Sequence, residues 1–168
     1  MAYIRDNVRR YRLRKANPEL FKKPQVVMRP ADGTALWGIG NHFLLEHPRR
    51  VAVQFSRRMT EAEWHTEQEA LAYYLEQGYV FVSPFISPYE RRLLSEVIRQ
   101  GGRAIRLTHK FFRERYKPSG ELFDLCSEGR LLEVSVAGAF ERYAELSREA
   151  CLKMNEVARV IATTKWSQ

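Results

Sequence analysis

Two stretches of this chain carry side chains suited to holding a polyanion. The first is Ser56-Arg57-Arg58-Met59-Thr60. A guanidinium bridges two phosphate oxygens at once, and a neighbouring hydroxyl adds a third hydrogen bond. The second is His109–Lys117, where His109, Lys110, Arg113, Arg115 and Lys117 are interleaved with Phe111, Phe112 and Tyr116. Cations among aromatic rings suit a single strand, whose phosphates pair with charge and whose bases stack. A plainer reading stands beside each. The arginines also fit a solvated turn paired with Glu61 or Glu63, and the phenylalanines also fit anchors to a core.

Both stretches lie where strands are expected to end. The run Val51–Phe55 empties into the first, and Arg103–Thr108, alternating charged and apolar residues, empties into the second. Between them Tyr79–Val82 empties into Ser83-Pro84-Phe85-Ile86-Ser87-Pro88. Helices are predicted in the gaps. Thr60 opens one in a capping-box pattern with Glu63, and Trp64, Leu71, Tyr74 and Leu75 form its buried face up to Gly78. Ser87 opens the next, with Pro88 first in the helix and Glu90 closing the box. Leu93, Leu94, Val97 and Ile98 are its stripe, and Gly101-Gly102 its stop. A short helix follows around Glu121–Cys126, then a strand around Leu131–Val134. A last helix is expected from about Gly138 to Ala162, carrying Phe140, Tyr143, Ser147, Cys151, Met154, Ala158 and Ile161.

Strands alternating with helices predict parallel βαβ units, whose ligands bind beyond the carboxyl ends of the strands. That rule gathers Ser56, Arg57, Arg58, Thr60, Ser83 and Ser87 into one expected pocket of hydroxyls and fixed positive charge. His109, Lys110, Arg113 and Lys117 of the basic loop are the further candidate contacts.

Charge points the same way. Twenty-eight Lys and Arg against 20 Asp and Glu leave a net +8, which favours a polyanionic partner. The excess is segregated: Arg5, Arg9, Arg10, Arg12, Arg14, Lys15, Lys22 and Lys23 face only Asp6 and Glu19 within residues 1–24. This leader is expected to be partly helical through Ile4, Val8, Tyr11 and Leu13, with Pro18, Pro24 and Pro30 preventing one long helix. Residues 25–50 read as a connection, with turn signals at Asp32-Gly33 and Gly38-Ile39-Gly40.

Other classes find less support. Cys126 and Cys151 have no framework spacing and read as buried free thiols. His42, His47, His65 and His109 show no metal-ligand spacing, and no nucleophile with a base and an orienting partner is apparent. No apolar run is long enough to span a membrane, and the N-terminus lacks the apolar core of a secretory signal. A non-catalytic cytoplasmic protein without cofactors is expected.

Pro48-Arg49-Arg50-Val51-Ala52-Val53 followed by Ser56-Arg57-Arg58-Met59-Thr60 resembles the DNA-processing protein A (DprA, also called Smf) family, which reads L-L-x-x-P-R-V-A-I-V-G-S-R-R-x-T at this point. Leu44-Leu45-Glu46-His47-Pro48 matches the lead-in, and Leu36-Trp37-Gly38-Ile39-Gly40-Asn41 a short strand and turn before it. Phe81-Val82-Ser83 aligns with the family's V-V-S-G-L-A-R-G-I-D block and reaches Gly101-Gly102-Arg103-Ala104-Ile105-Arg106-Leu107 without a gap. Tyr116-Lys117-Pro118 with Leu122 resembles the family's Y-P-x-x-N segment, so the likeness covers about residues 36–134.

The resemblance implies an α/β, Rossmann-like fold with three to four mainly parallel strands flanked by helices over residues 51–168. Residues 1–50 are then a basic N-terminal extension and connecting segment. It implies single-stranded DNA as partner and help in loading a recombinase, with Ser56 and Arg57 in a phosphate pocket and Ser83 beside it. Phe55, Pro84 and Pro88 stand where the family has glycines. Proline removes an amide donor, so a backbone-amide cradle is not expected at residues 83–88.

The leading expectation is therefore a DNA-binding protein, single-stranded by preference, acting in DNA processing without catalysis. Two alternatives use the same residues: a nucleotide or phosphorylated-metabolite sensor, or a scaffold with a decayed pocket. A homo-oligomer fits each of these.

Overall fold

Helix α1, Ala2–Ala16, opens the chain in the computed structural model, which describes residues 2–139 and 142–165. Strands β1 (Gln25–Met28) and β2 (Leu36–Gly40) follow, then a 3-10 turn at His42–Glu46. The alternating part runs β3 (Arg50–Ala52), α2 (Glu61–Glu76), β4 (Val80–Ser83), α3 (Pro88–Arg99), β5 (Arg103–Thr108), α4 (Glu121–Ser127) and β6 (Leu131–Ser135). Helix α5, Arg148–Thr163, closes it.

The strands form one mixed sheet in the order β1-β2-β6-β5-β4-β3. β3, β4, β5 and β6 are mutually parallel, as βαβ units require, whereas β2 runs antiparallel to both β6 and β1. The architecture is α/β and Rossmann-like, but the sheet has six strands where three or four were expected. The segment read as a connection supplies the additional two. One of them, β2, is the short strand implied by the family resemblance; Gly38 and Gly40, read from local sequence as turn signals, lie inside it and permit close packing. A Cβ on Gly40 would stand 2.3 Å from the Leu131 carbonyl oxygen, so only glycine lets β2 turn past β6 there.

Two apolar clusters sandwich the sheet. On one face Val80, Val82, Ile105, Leu107, Leu132 and Val134 meet Met154, Val157, Ala158 and Ile161 of α5 and Leu44 and Leu45 of the 3-10 turn. On the other, Phe81, Ala104 and Leu131 meet Trp64 and Leu71 of α2, Leu93 and Val97 of α3, and Phe123 and Leu125 of α4. The central strands are thus buried on both faces and read as nearly continuous apolar runs.

Local signals set the helix boundaries. Thr60 Oγ1 accepts the Glu63 amide at 3.2 Å, and Ser87 with Glu90 forms the full capping box with Pro88 behind it. The final helix begins ten residues later than its periodicity suggests. Ser147 caps it by accepting the Ala150 amide at 3.1 Å, and Gly138 at φ +73° stands before that start. Phe140, expected on that helix, lies outside the described residues. Cys126 is buried and Cys151 half-buried, both as free thiols.

Two arginines serve the fold. Arg50 Nη1 donates to the carbonyls of Leu45 at 2.6 Å and Ile161 at 2.7 Å, and Nη2 donates to Thr164, closing the end of α5. Arg130 donates to Gly102 and Ile98, both at 2.8 Å, and does the same for α3. Cations at helix carboxyl ends satisfy orphan carbonyls and the helix dipole together.

Candidate nucleic-acid interface

The parity of β5 decides what its carboxyl end presents. Ile105 and Leu107 enter the α5 side of the core, so Arg106 and Thr108 point to the α3–α4 side. Arg106 lies in register with Glu133 on β6 and donates to its carboxylate, and the Tyr116 hydroxyl donates to the other oxygen at 2.8 Å. Glu133 is completely buried. A buried carboxylate needs such partners, so the pair of bonds pins Tyr116 and the basic loop to the sheet. Burial and the Glu133 charge raise the Tyr116 pKa above that of a free phenol, keeping its hydroxyl a donor.

Further bonds set the loop base. The Lys110 amide donates to Thr108 Oγ1 at 3.2 Å, and Ser135 Oγ donates to the Lys110 carbonyl at 2.6 Å. Phe112 is buried and stacks on Tyr116, with centroids 4.8 Å apart and planes at 15°. Phe111 is 37% exposed. The two neighbouring phenylalanines therefore divide the alternatives read from sequence: one anchors, the other is free to stack.

The result is a groove of about 780 Å³ between this loop and the turn after β4. Among the described residues, Lys110, Arg113 and Arg115 supply its unpaired charge beside His109 and the Glu133-paired Arg106, Phe111, Phe112 and Tyr116 its rings, and Pro84, Ile86 and Leu146 its apolar rim. No carboxylate is among the described residues that line it. Partial burial first, then Lys110 and Arg106, hold the His109 pKa below its usual 6.5. The local potential is positive even with that ring neutral.

The remaining candidates are placed elsewhere. Ser56, Arg57 and Arg58 form an exposed turn after β3, with Ser56 Oγ accepting the Arg58 amide at 3.1 Å. Neither guanidinium forms an ion pair among the described residues. The recess beside Ser56 is bordered by Glu63 and Glu67 and does not include the arginines. β4 separates this turn from β5, so the backbones stand about 10 Å apart. Ser83 is fully buried, and its Oγ accepts the Phe85 amide at 3.0 Å. It lines no opening to solvent, which corrects its expected place in a pocket. Lys117 points to the far side of the loop, into a recess shared with Tyr11, Arg14 and Phe21 of the N-terminal segment.

Between the two strand ends the expected pocket is already filled. The Glu90 carboxylate accepts the backbone amides of Phe55 at 2.8 Å, Ile86 at 3.0 Å and Ser87 at 3.4 Å. Amides do converge here despite Pro84 and Pro88, but on the chain's own carboxylate. Phe85, at φ +53°, gives the turn the left-handed step that glycine would otherwise supply. Sequence reasoning found Glu90 as a cap and missed its reach to Phe55. It likewise missed the Arg106–Glu133 pairing, although both residues break apolar strands with charge.

Comparison with protein-family models and with curated proteins gives no match. Among solved structures, the X-ray structure of DNA processing protein A (DprA) from Streptococcus pneumoniae aligns with 87% of this chain at a TM-score of 0.59 and 19% sequence identity. The likeness is one of fold. This chain spans about half of that protein, 54% of its length. Among the described residues no group of His, Cys, Asp or Glu is placed to hold a metal ion, and no helix is long and apolar enough to cross a membrane.

Proposed function

We propose that this protein binds single-stranded DNA in the groove at the carboxyl end of β5 and holds it without chemistry on the strand. One observation carries the reading: a groove ringed by Arg106, Lys110, Arg113 and Arg115, with no lining carboxylate among the described residues and the exposed Phe111 ring at its mouth. Phosphates pair with the cations while a base stacks on Phe111. The name of the similarly folded DNA processing protein supports DNA as the strand. The sequence resemblance adds a recombinase as second partner, and the expected place of action is the cytoplasm. The exposed Arg57 and Arg58 add long-range attraction rather than a pocket.

Fluorescence anisotropy of labelled oligothymidylate and a matched duplex tests this. Preference for the single strand with a steep salt slope is expected; equal weak binding of both would contradict it.

A second reading has its own observation. A groove of about 780 Å³ falls within the range that encloses small ligands, so a mononucleotide fits the same residues. A mononucleotide would raise the melting temperature by mass action, with a shallow salt slope.

A further inference from the structure

Helix α1 is held against the domain by specific contacts. Arg9 pairs with Asp124 of α4 at 2.7 Å, Arg10 lies over the Phe123 ring, and Phe21 stacks on the same ring with centroids 4.8 Å apart. Lys23 pairs with Glu114 at 2.5 Å, tying the segment after α1 to the basic loop itself. These acids are used in docking the helix. Among the described residues, Arg14, Lys15 and Lys117 form no ion pair.

Those three cations share a recess of about 450 Å³ with Tyr11. Lys117 Nζ finds only the neighbouring Tyr116 carbonyl, at 3.2 Å, among the described residues. Burial and then the charge of Arg14 disfavour its protonated form. Like charges held on one concave surface without an acid between them are an anion site awaiting its anion. The recess and the groove flank the same loop: Tyr116 lines the groove and the next residue, Lys117, lines the recess on the far side.

We propose that the strand leaving the groove continues past Lys117 onto α1, where Arg14 and Lys15 pair with further phosphates and Tyr11 offers a second ring. This rests on the groove being a single-strand site, and it makes the basic N-terminal helix the second half of that site. The cations of the last helical turn also favour the helix dipole, but that role requires neither Lys117 nor a recess.

The test compares Arg14→Ala/Lys15→Ala with the unchanged protein on oligothymidylates of about 5 and about 15 nucleotides, spanning the usual site sizes of single-strand binders. The unchanged protein should bind the longer strand at least about tenfold more tightly, with a steeper salt slope. The variant should bind the short strand normally and lose most of that advantage, its salt slope on the long strand falling by about 1.4. A retained length advantage in a variant of unchanged circular dichroism would overturn the proposal. So would a retained advantage with loss of binding to anionic phospholipid vesicles, which would assign the helix to a membrane surface. If the unchanged protein binds neither strand, the groove reading itself falls and this inference falls with it.

Discussion

The Glu90 carboxylate accepts the Phe55 amide at 2.8 Å, joining the first turn of α3 to the end of β3 across the mouth of β4. That bond fills, from within, the place where a parallel sheet ordinarily receives a ligand. It also moves the candidate interface one strand along, to β5, where no comparable carboxylate stands in the opening.

Removing that carboxylate should both weaken the fold and open an anion site. Glu90→Ala leaves three amides without their acceptor, and such losses cost about 1–3 kcal/mol each when no water replaces it. Urea unfolding should show the loss. Sulfate at millimolar concentration should then raise the melting temperature of the variant more than that of the parent. Equal sulfate responses would mean that the amides do not form a cradle.

Phe111 and Phe112 should separate binding from stability. Phe112→Ala removes a buried ring stacked on Tyr116 and should cost about 3–5 kcal/mol of unfolding free energy. Phe111→Ala should leave stability within about 0.5 kcal/mol and weaken single-strand binding by about 1–3 kcal/mol. Denaturation curves and anisotropy on the same two variants check both halves.

Arg50→Met keeps the length of the side chain but strands the carbonyls of Leu45, Ile161 and Thr164. Hydrogen bonds from a charged donor are worth about 1.5–3 kcal/mol, so unfolding free energy should fall by several kcal/mol. Hydrogen exchange should locate the loosening at the end of α5. Unchanged exchange there would contradict the capping role.

His109 gives the interface a pH dependence. Its pKa is held below 6.5, so at neutral pH the ring adds no charge to the groove. A bound polyanion favours the protonated ring, and binding should tighten as pH falls from about 7.5 to about 5.5. His109→Gln should flatten that rise. Folding carries the opposite sign. The unfolded chain holds more protons, so this residue's contribution is intact above 6.5 and is lost as pH falls through that value toward the lower folded pKa.

How far the sequence could be read depended on how local each signal was. The Ser87-Pro88-Glu90 start of α3 and the strand Arg103–Thr108 lie within a few residues and were legible at once. β1 was not, because its strand character comes from pairing with β2; β2 was read only through the family resemblance, because it pairs with β6 nearly a hundred residues on and its glycines imitate turns. The loop His109–Lys117 was found by composition alone; His109, Lys110, Phe111, Arg113 and Arg115 do line the groove, whereas Lys117 faces the recess on the far side. Ser56, Arg57 and Arg58 were expected in one pocket with Ser83, and neither Glu90's reach to Phe55 nor the breadth of β4, which hold that turn apart from the groove, leaves a trace in local sequence.

The most direct test sets two double variants side by side in anisotropy titrations of oligothymidylate across a salt series. Lys110→Ala/Arg113→Ala removes groove cations, and Arg57→Ala/Arg58→Ala removes those of the exposed turn. The first should weaken binding strongly and reduce the salt slope by about 1.4, as expected for two lost phosphate contacts on a single strand. The second should shift affinity by less than about threefold, as for distant screened charge. The reverse ranking would contradict the account and return the site to the end of β3.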